Sequence, residues 1–218
     1  MGGMDDTARG DAAVPAPLRV LVVDDHALTC AGVELLLSRN PRFFVAATLD
    51  RGRDVIKTVT RERIDIVLLD LELPDMNGAD LLAELTGRLD MPVVVLSGST
   101  RPQHYDAARR LGALGLVSKA DSAEHIVTAL GAAGRGQPSL SPGVKRGLSH
   151  HGTPAVALSP RQLAMLHFLR SGSSNKEIAY RLGIAAPTVS FHLAELRRKL
   201  GAPDNRTILD RARALELL

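Results

Sequence analysis

Ile66-Val67-Leu68-Leu69-Asp70-Leu71-Glu72-Leu73-Pro74-Asp75-Met76-Asn77-Gly78 decides the fold of this chain. Its apolar run Ile66–Leu69 ends at a carboxylate, Asp70, and a loop carrying Pro74 and Gly78 follows. A short apolar run bounded by turn residues fits a buried strand. Strands buried on both faces belong to parallel sheets covered by helices. The same unit repeats on either side, with apolar runs at Leu18–Val23, Phe43–Ala47, Val93–Leu96 and Leu114–Val117. Helical candidates lie between them, near 27–38, 52–61, 77–88, 103–111 and 122–133. Strands alternating with helices predict an α/β fold, a doubly wound five-stranded parallel sheet over residues 18–133.

The rest of the 218 residues divides by composition. Residues 1–17 are rich in Gly, Ala, Pro and Asp and read as a disordered tail. Residues 134–157 carry Gly, Pro, Ser and the pair His150-His151 with little periodicity, and read as a flexible linker. Residues 158–218 read as a small all-α domain. Ser159 is a candidate N-cap there, with Pro160 at the first helical position and Gln162 completing a capping box. That helix should end near Gly172, a second should cover Lys176–Leu182, and a third should run from Ala186 to Leu200 and stop at Gly201. Asp204 should cap a fourth that reaches the C-terminus. Ile178, Leu182, Ile184, Val189, Leu193, Leu196 and Leu200 fall at helical spacing and should form the small core. Short helices joined by a tight turn at Gly183 have helix-turn-helix proportions.

Composition narrows the function classes. Hydrophobic residues make up 45%, aromatic residues only 3%, and Trp is absent, so the core is aliphatic. No apolar run is long enough for a membrane span. The start, Met1 to Asp6, is acidic and lacks the apolar stretch of a secretion signal, and Cys30 has no partner for a disulfide. The cytoplasm is the expected compartment. Net charge is +3 overall, yet residues 153–218 carry 10 Lys/Arg against 5 Asp/Glu while the remainder is slightly acidic. A polyanion would therefore meet the C-terminal part. The sequence has neither a nucleophile elbow nor a phosphate-binding glycine loop, which argues against a hydrolase.

In a doubly wound sheet the C-terminal ends of the strands share one edge, where ligands bind. Asp24 and Asp25 follow the first strand and Asp70 the third. Three carboxylates gathered there repel one another unless a cation neutralises them, and oxygen ligands suit Mg²⁺. Ser97 ends the fourth strand and Lys119 follows the fifth. A hydroxyl and a lysine beside a metal-bound aspartate are the groups needed to hold phosphoryl oxygens.

Val22-Val23-Asp24-Asp25-His26, Leu68–Gly78, Val95-Leu96-Ser97-Gly98 and Gly112–Lys119 resemble the landmarks of a receiver domain. The resemblance implies that Asp70 is phosphorylated by a sensor histidine kinase. It further implies that Asp24, Asp25, Asp70 and the backbone carbonyl of Glu72 hold Mg²⁺, while Ser97 and Lys119 bind the phosphoryl oxygens. Leu116 departs from the family, which usually has a mobile Tyr or Phe there. Tyr105 reads as a surface residue, His26 as positional, Cys30 as an inert thiol, and Glu72 and Asp75 as solvated loop acids, the carbonyl at 72 apart.

Leu158–Leu166, Ser174–Ile184 and Thr188–Gly201 resemble the LuxR-type DNA-binding domain, which with the receiver points to the NarL/FixJ subfamily of response regulators. The resemblance implies a third helix in the major groove, with Ser190, Phe191 and Ala194 nearest the base edges. Lys176, Thr188, His192, Arg197, Arg198 and Lys199 are better placed for phosphates. Relatives often have lysine at the positions of Ser190 and Ala194, and acids at those of Gln162 and Ala164. The expectation is a phosphorylation-controlled homodimer that binds double-stranded promoter DNA and meets the transcription machinery. Its rivals are a regulator whose receiver serves only for dimerisation or partner binding, and a module that sequesters a protein partner and no longer binds DNA.

Overall fold

The computed structural model describes residues 16–98, 102–148, 156, 158–215 and 217. The expected disordered tail lies outside the described residues apart from its last two, 16 and 17. The strands are β1 (Leu18–Val23), β2 (Phe43–Leu49), β3 (Ile66–Asp70), β4 (Val93–Ser97), β5 (Gly115–Ser118) and β6 (Ser139–Leu140). All pair in parallel, in the order β2-β1-β3-β4-β5-β6. The strands of the front domain alternate with α1 (Ala27–Ser38), α2 (Val55–Arg61), α3 (Gly78–Leu89), α4 (Pro102–Arg110) and α5 (Glu124–Ala133), and α6 (Pro142–Leu148) follows β6.

Alternation along the strands fills both faces of the sheet. Leu21, Val23, Val67, Leu69, Val93, Val95 and Leu116 face the layer that holds α2, α3 and α4. Val20, Val22, Ile66, Leu68, Val94, Leu96 and Val117 face α1 and α5. Glycine fits position 115, opposite Val94 of β4, because a Cβ there would lie 2.7 Å from the Val94 side chain.

The sheet has six strands, one more than expected, and the stretch 134–157 contains structure where a linker was expected. Ser139 donates its N–H to Leu114 O at 2.8 Å and Ser141 to Leu116 O at 3.0 Å, which adds β6 to the edge of β5. A two-residue strand has no measurable periodicity, so pattern reading does not detect it. Most of 149–157, the remainder of the expected linker, is outside the described residues.

The C-terminal helices are α7 (Pro160–Arg170), α8 (Asn175–Leu182), α9 (Ala186–Leu200) and α10 (Ile208–Ala214). The Ser159–Gln162 capping box forms as expected, and Ser174 with Glu177 forms a second one at the start of α8. Asp204 accepts the N–H of Thr207 at 3.0 Å, closing a turn instead of starting a helix, so α10 begins only at Ile208. Of the expected core, Ile184 alone is only half-buried.

The helical domain does not stand apart from the sheet domain. Ala164, Met165, Leu166 and Phe168 of α7 are fully buried, because one side of α7 packs on α8, α9 and α10 while the other packs on α3. Apolar packing is continuous from β3 and α3 into the helical domain. At the contact Asp80 of α3 accepts from His167 Nε2 at 2.6 Å and from Arg181 at 2.6 Å. The His167 hydrogen bond is the main reason that the Asp80 carboxyl is held below its ordinary range; burial opposes the shift and Arg181 reinforces it.

A carboxyl with a depressed folded pKa adds stability above its unfolded value, near 3.9, and that stability is lost as pH falls through the folded value. Glu84 also faces Arg181, at 3.9 Å, but burial raises its carboxyl, so it titrates at higher pH. The stability advantage of wild type over Asp80→Asn should therefore shrink as pH drops from about 5 to about 2. Urea unfolding across that range measures it, and an advantage independent of pH would contradict the assignment.

Candidate functional site

Parallel strands present their C-terminal ends on one edge, and the order β2-β1-β3 places a topological switch point between β1 and β3. The acids occupy that point. Asp24 follows β1 and Asp70 ends β3, and both are buried at 2% exposure, while Asp25 is exposed toward solvent. Ser97 ends β4, is buried, and lies in register with Ser118 of β5. Lys119 continues β5 and donates its N–H to Ser97 O at 2.9 Å.

Lys119 is the cation of this edge. Its Nζ lies 2.7 Å from Asp24 Oδ2 and 2.5 Å from Asp70 Oδ2. Burial works against the ammonium, yet the two carboxylates outweigh it and hold the Lys119 pKa above its usual value. Asp70 Oδ1 accepts the Glu72 N–H at 3.0 Å, which fixes the carboxylate plane against the loop leading to α3. Asp24 Oδ2 is buried and accepts no hydrogen bond of good geometry, so its charge faces Lys119 only through the ion pair.

His26, read from the sequence as positional, lies within the acidic cluster. Its Nδ1 lies 3.1 Å from Asp24 Oδ1 and 2.7 Å from Asp25 Oδ1, and its backbone N–H donates to Asp24 Oδ1 at 2.9 Å. Donor atoms of Asp24, Asp25, His26 and Asp70 all lie within 4.8 Å of one another. Three carboxylates against one lysine leave an excess of negative charge, and a mostly oxygen donor set of this kind fits a hard divalent cation. The acids, Ser97 and Lys119 thus meet at one edge, as their strand-end positions imply.

Leu116 is buried in β5, paired with Val95. Tyr105 of α4 differs from its surface reading: it is 3% exposed and sits in the same core layer as Leu116. Asp75 is not simply solvated either, because its carboxylate accepts the N–H of Gly52 at 2.9 Å and of Arg53 at 3.1 Å. Burial alone would raise its carboxyl, but those backbone bonds and the Arg53 charge together outweigh burial and keep it below the usual range. Cys30 is buried with its thiol donating to Asp24 O at 3.2 Å, and burial first, then Asp24 and Glu34, push that thiol up.

The second candidate surface is α9. Gly183 joins α8 to α9 at φ 61°, in the left-handed region, and a Cβ there would also lie 2.8 Å from Arg88 Nε. Pro187 at the start of α9 and the left-handed Gly201 at its end bound the helix. Val189, Leu193, Leu196 and Leu200 face inward. Ser190, Phe191, Ala194, Arg198, Lys199 and, on α8, Lys176 are exposed, while Thr188, His192 and Arg197 are half-buried. Phe191 is 62% exposed, a large apolar ring held out to solvent on a basic helix. His192 pairs with Glu195 at 3.2 Å, and Lys199 donates to Gln162 Oε1 at 2.9 Å, so neither side chain is independent of its neighbours.

Comparison with known proteins agrees with this division. Residues 20–131 match the response regulator receiver domain, and residues 156–212 match the bacterial regulatory proteins of the luxR family. The nitrate/nitrite response regulator protein NarP of Escherichia coli (strain K12) is 34% identical over 191 residues, covering 84% of this chain and 89% of NarP. The fimbriae Z protein of Salmonella typhimurium (strain LT2) is 30% identical, covering 93% of this chain and 99% of its own length. Among solved structures, the response regulator ChrA of a heme-sensing two-component system is 29% identical at a TM-score of 0.52, covering 93% of this chain and 100% of ChrA. The chain belongs to the NarL/FixJ subfamily of response regulators, transcription regulators in which a receiver domain precedes a LuxR-type helix-turn-helix domain.

Proposed function

We propose that Asp70 accepts a phosphoryl group from the phosphohistidine of a sensor histidine kinase, and that this controls dimerisation and promoter binding by the helix-turn-helix domain. The observation that carries the reading is the bridge of Lys119 between Asp24 and Asp70 at 2.7 and 2.5 Å, beside the buried Ser97. In the transfer an Asp70 carboxylate oxygen bonds to phosphorus as the phosphorus–nitrogen bond to the kinase histidine breaks, and that nitrogen keeps the electron pair. Lys119 then has phosphoryl oxygens to neutralise in place of a carboxylate oxygen, and the Ser97 hydroxyl is the nearby donor at the end of β4. Asp24, Asp25, Asp70 and the Glu72 carbonyl would hold Mg²⁺, which supplies charge neutralisation and orientation for phosphoryl transfer when bound.

On DNA, Ser190, Phe191 and Ala194 are the residues assigned to base edges, with Phe191 suited to a thymine methyl. Lys176, Thr188, His192, Arg197, Arg198 and Lys199 are assigned to phosphates, which contribute affinity and salt dependence but little sequence choice. The protein works in the cytoplasm as a homodimer on double-stranded promoter DNA, next to the transcription machinery. Leu116 favours a second reading, in which the receiver only dimerises or binds a partner, because a leucine cannot supply the ring movement implied by family resemblance.

Intact mass after incubation with Mg²⁺ and a small phosphodonor separates the two. One phosphoryl adduct on wild type and none on Asp70→Asn is expected. No adduct, with a cognate kinase also tried, would leave the receiver as a dimerisation module.

The same site makes a stability prediction. Asp70→Asn removes one of the crowded carboxylates and leaves Lys119 paired with Asp24, so in metal-free buffer it should raise stability by about 1 kcal/mol. Mg²⁺ should raise the melting temperature of wild type more than that of Asp70→Asn. Differential scanning calorimetry with and without Mg²⁺ checks both, and equal Mg²⁺ responses would contradict the metal assignment.

A further inference from the structure

The Asp80 contact joins the two halves of the molecule at a position directly downstream of the phosphoacceptor. Residues 71–77 lead from Asp70 into α3, and Asn77 caps that helix by accepting the Ala79 N–H at 2.9 Å. Asp80 lies in the first turn of α3 and reaches both scaffold helices of the DNA-binding domain, α7 through His167 and α8 through Arg181. His167 is buried, and the Arg181 guanidinium also lies over the Phe168 ring at 4.9 Å. A charge pair held this way, with one face against an aromatic ring, is fixed in direction as well as in distance.

The surrounding packing is fitted to the same contact. A Cβ on Gly87 would come within 2.8 Å of the Ala164 Cβ, so α3 and α7 touch with no room for one more methyl group. Arg161 Nε donates to Gly87 O at 2.8 Å, and Pro160 packs 3.5 Å from where a Gly112 Cβ would lie. An acidic side chain at position 164 could not be seated against Gly87, which gives a physical reason for the alanine there.

The helix assigned to DNA remains uncovered in this docked arrangement. Ser190, Phe191, Ala194 and Arg198 are exposed, and the C-terminal helices packed most closely on α3 are α7 and α8. We infer that Asp80 is a positioning residue, a carboxylate clasp through which the receiver fixes the orientation of the DNA-binding domain while leaving its recognition face open. Regulation through this contact rests on the phosphorylation reading; the clasp itself does not. Movement of the loop at 71–77 would be felt at Asp80 and would change how the domain is held, without masking or unmasking α9.

Hydrogen exchange of the full-length protein, read by mass spectrometry, tests the inference with two independent variants. Asp80→Asn removes the charge and keeps the shape. Gly87→Ala leaves the charge in place and wedges α3 from α7. In both, amides of α3 and α7 should exchange about tenfold faster than in wild type, with β3 and β4 unchanged. Affinity for a short duplex of mixed sequence should stay within about twofold, because the recognition face is already open. Interface exchange unchanged in Asp80→Asn while Gly87→Ala opens it would overturn the clasp. A rise of about tenfold or more in duplex affinity in either variant would show that the contact masks the DNA surface.

A phosphodonor with Mg²⁺, added to wild type and to Asp70→Asn, then tests the coupling. Changed α3 and α7 exchange in wild type alone supports it. A phosphoryl adduct with unchanged interface exchange removes the regulatory role of the clasp. An absent adduct, with Asp80→Asn still opening the interface, removes the phosphorylation reading and leaves the clasp in place.

Discussion

Crowding of like charge at the C-terminal edge of the sheet is the constraint on which the rest of this structure depends. A parallel sheet brings the ends of β1 and β3 side by side, and in this chain both ends carry carboxylates that are almost wholly buried. Buried charges of one sign are tolerated only when something opposite faces them. Lys119, carried in by β5, supplies that charge from across the edge. It does so incompletely, since Asp25 adds a further negative charge beside His26. The remaining imbalance makes the edge receptive to a divalent cation, and the chemistry proposed for Asp70 grows from the same imbalance.

What happens at that edge can reach the DNA-binding domain because the two halves share packing. A first helix buried only on its own domain would show one apolar stripe. In α7 the apolar residues spread around the helix, and the structure explains why: Ala164 meets α3 of the receiver while Met165, Leu166 and Phe168 are buried with it in a core common to both domains. The polar members of α7 are equally committed. His167 is held by Asp80, and Gln162 serves both its own capping box and Lys199 of α9. Contiguity of this kind is a route for coupling only if the contact has two states.

Much of this was legible in the sequence, for definite physical reasons. Apolar runs such as Ile66–Leu69 are unambiguous because a strand covered on both faces has no polar residues to blur its ends, and β3 extends just one residue further. The third helix of the C-terminal domain was bounded correctly by Ala186 and Gly201, since a left-handed glycine ends a helix sharply. The strand-end positions of Asp24, Asp70, Ser97 and Lys119 brought them together because the topology leaves no alternative edge. Other features had no local signal. A two-residue strand such as β6 exists only through its pairing with β5. Burial of Tyr105 depends on how α4 rolls against the sheet. The Asp80–His167–Arg181 contact joins residues 87 and 101 positions apart, which no local pattern anticipates. The even apolar distribution of α7 was the one available sign that the helix has partners on two sides.

Binding of the full-length protein to a duplex selected from random sequence, with and without a phosphodonor, bears most directly on the proposed switch. Fluorescence anisotropy should give an affinity that rises about tenfold with the phosphodonor for wild type, does not change for Asp70→Asn, and weakens steeply with salt for both. Equal affinity of wild type in the two conditions, at matched salt and with the Asp70 adduct verified by mass, would contradict control of DNA binding by Asp70.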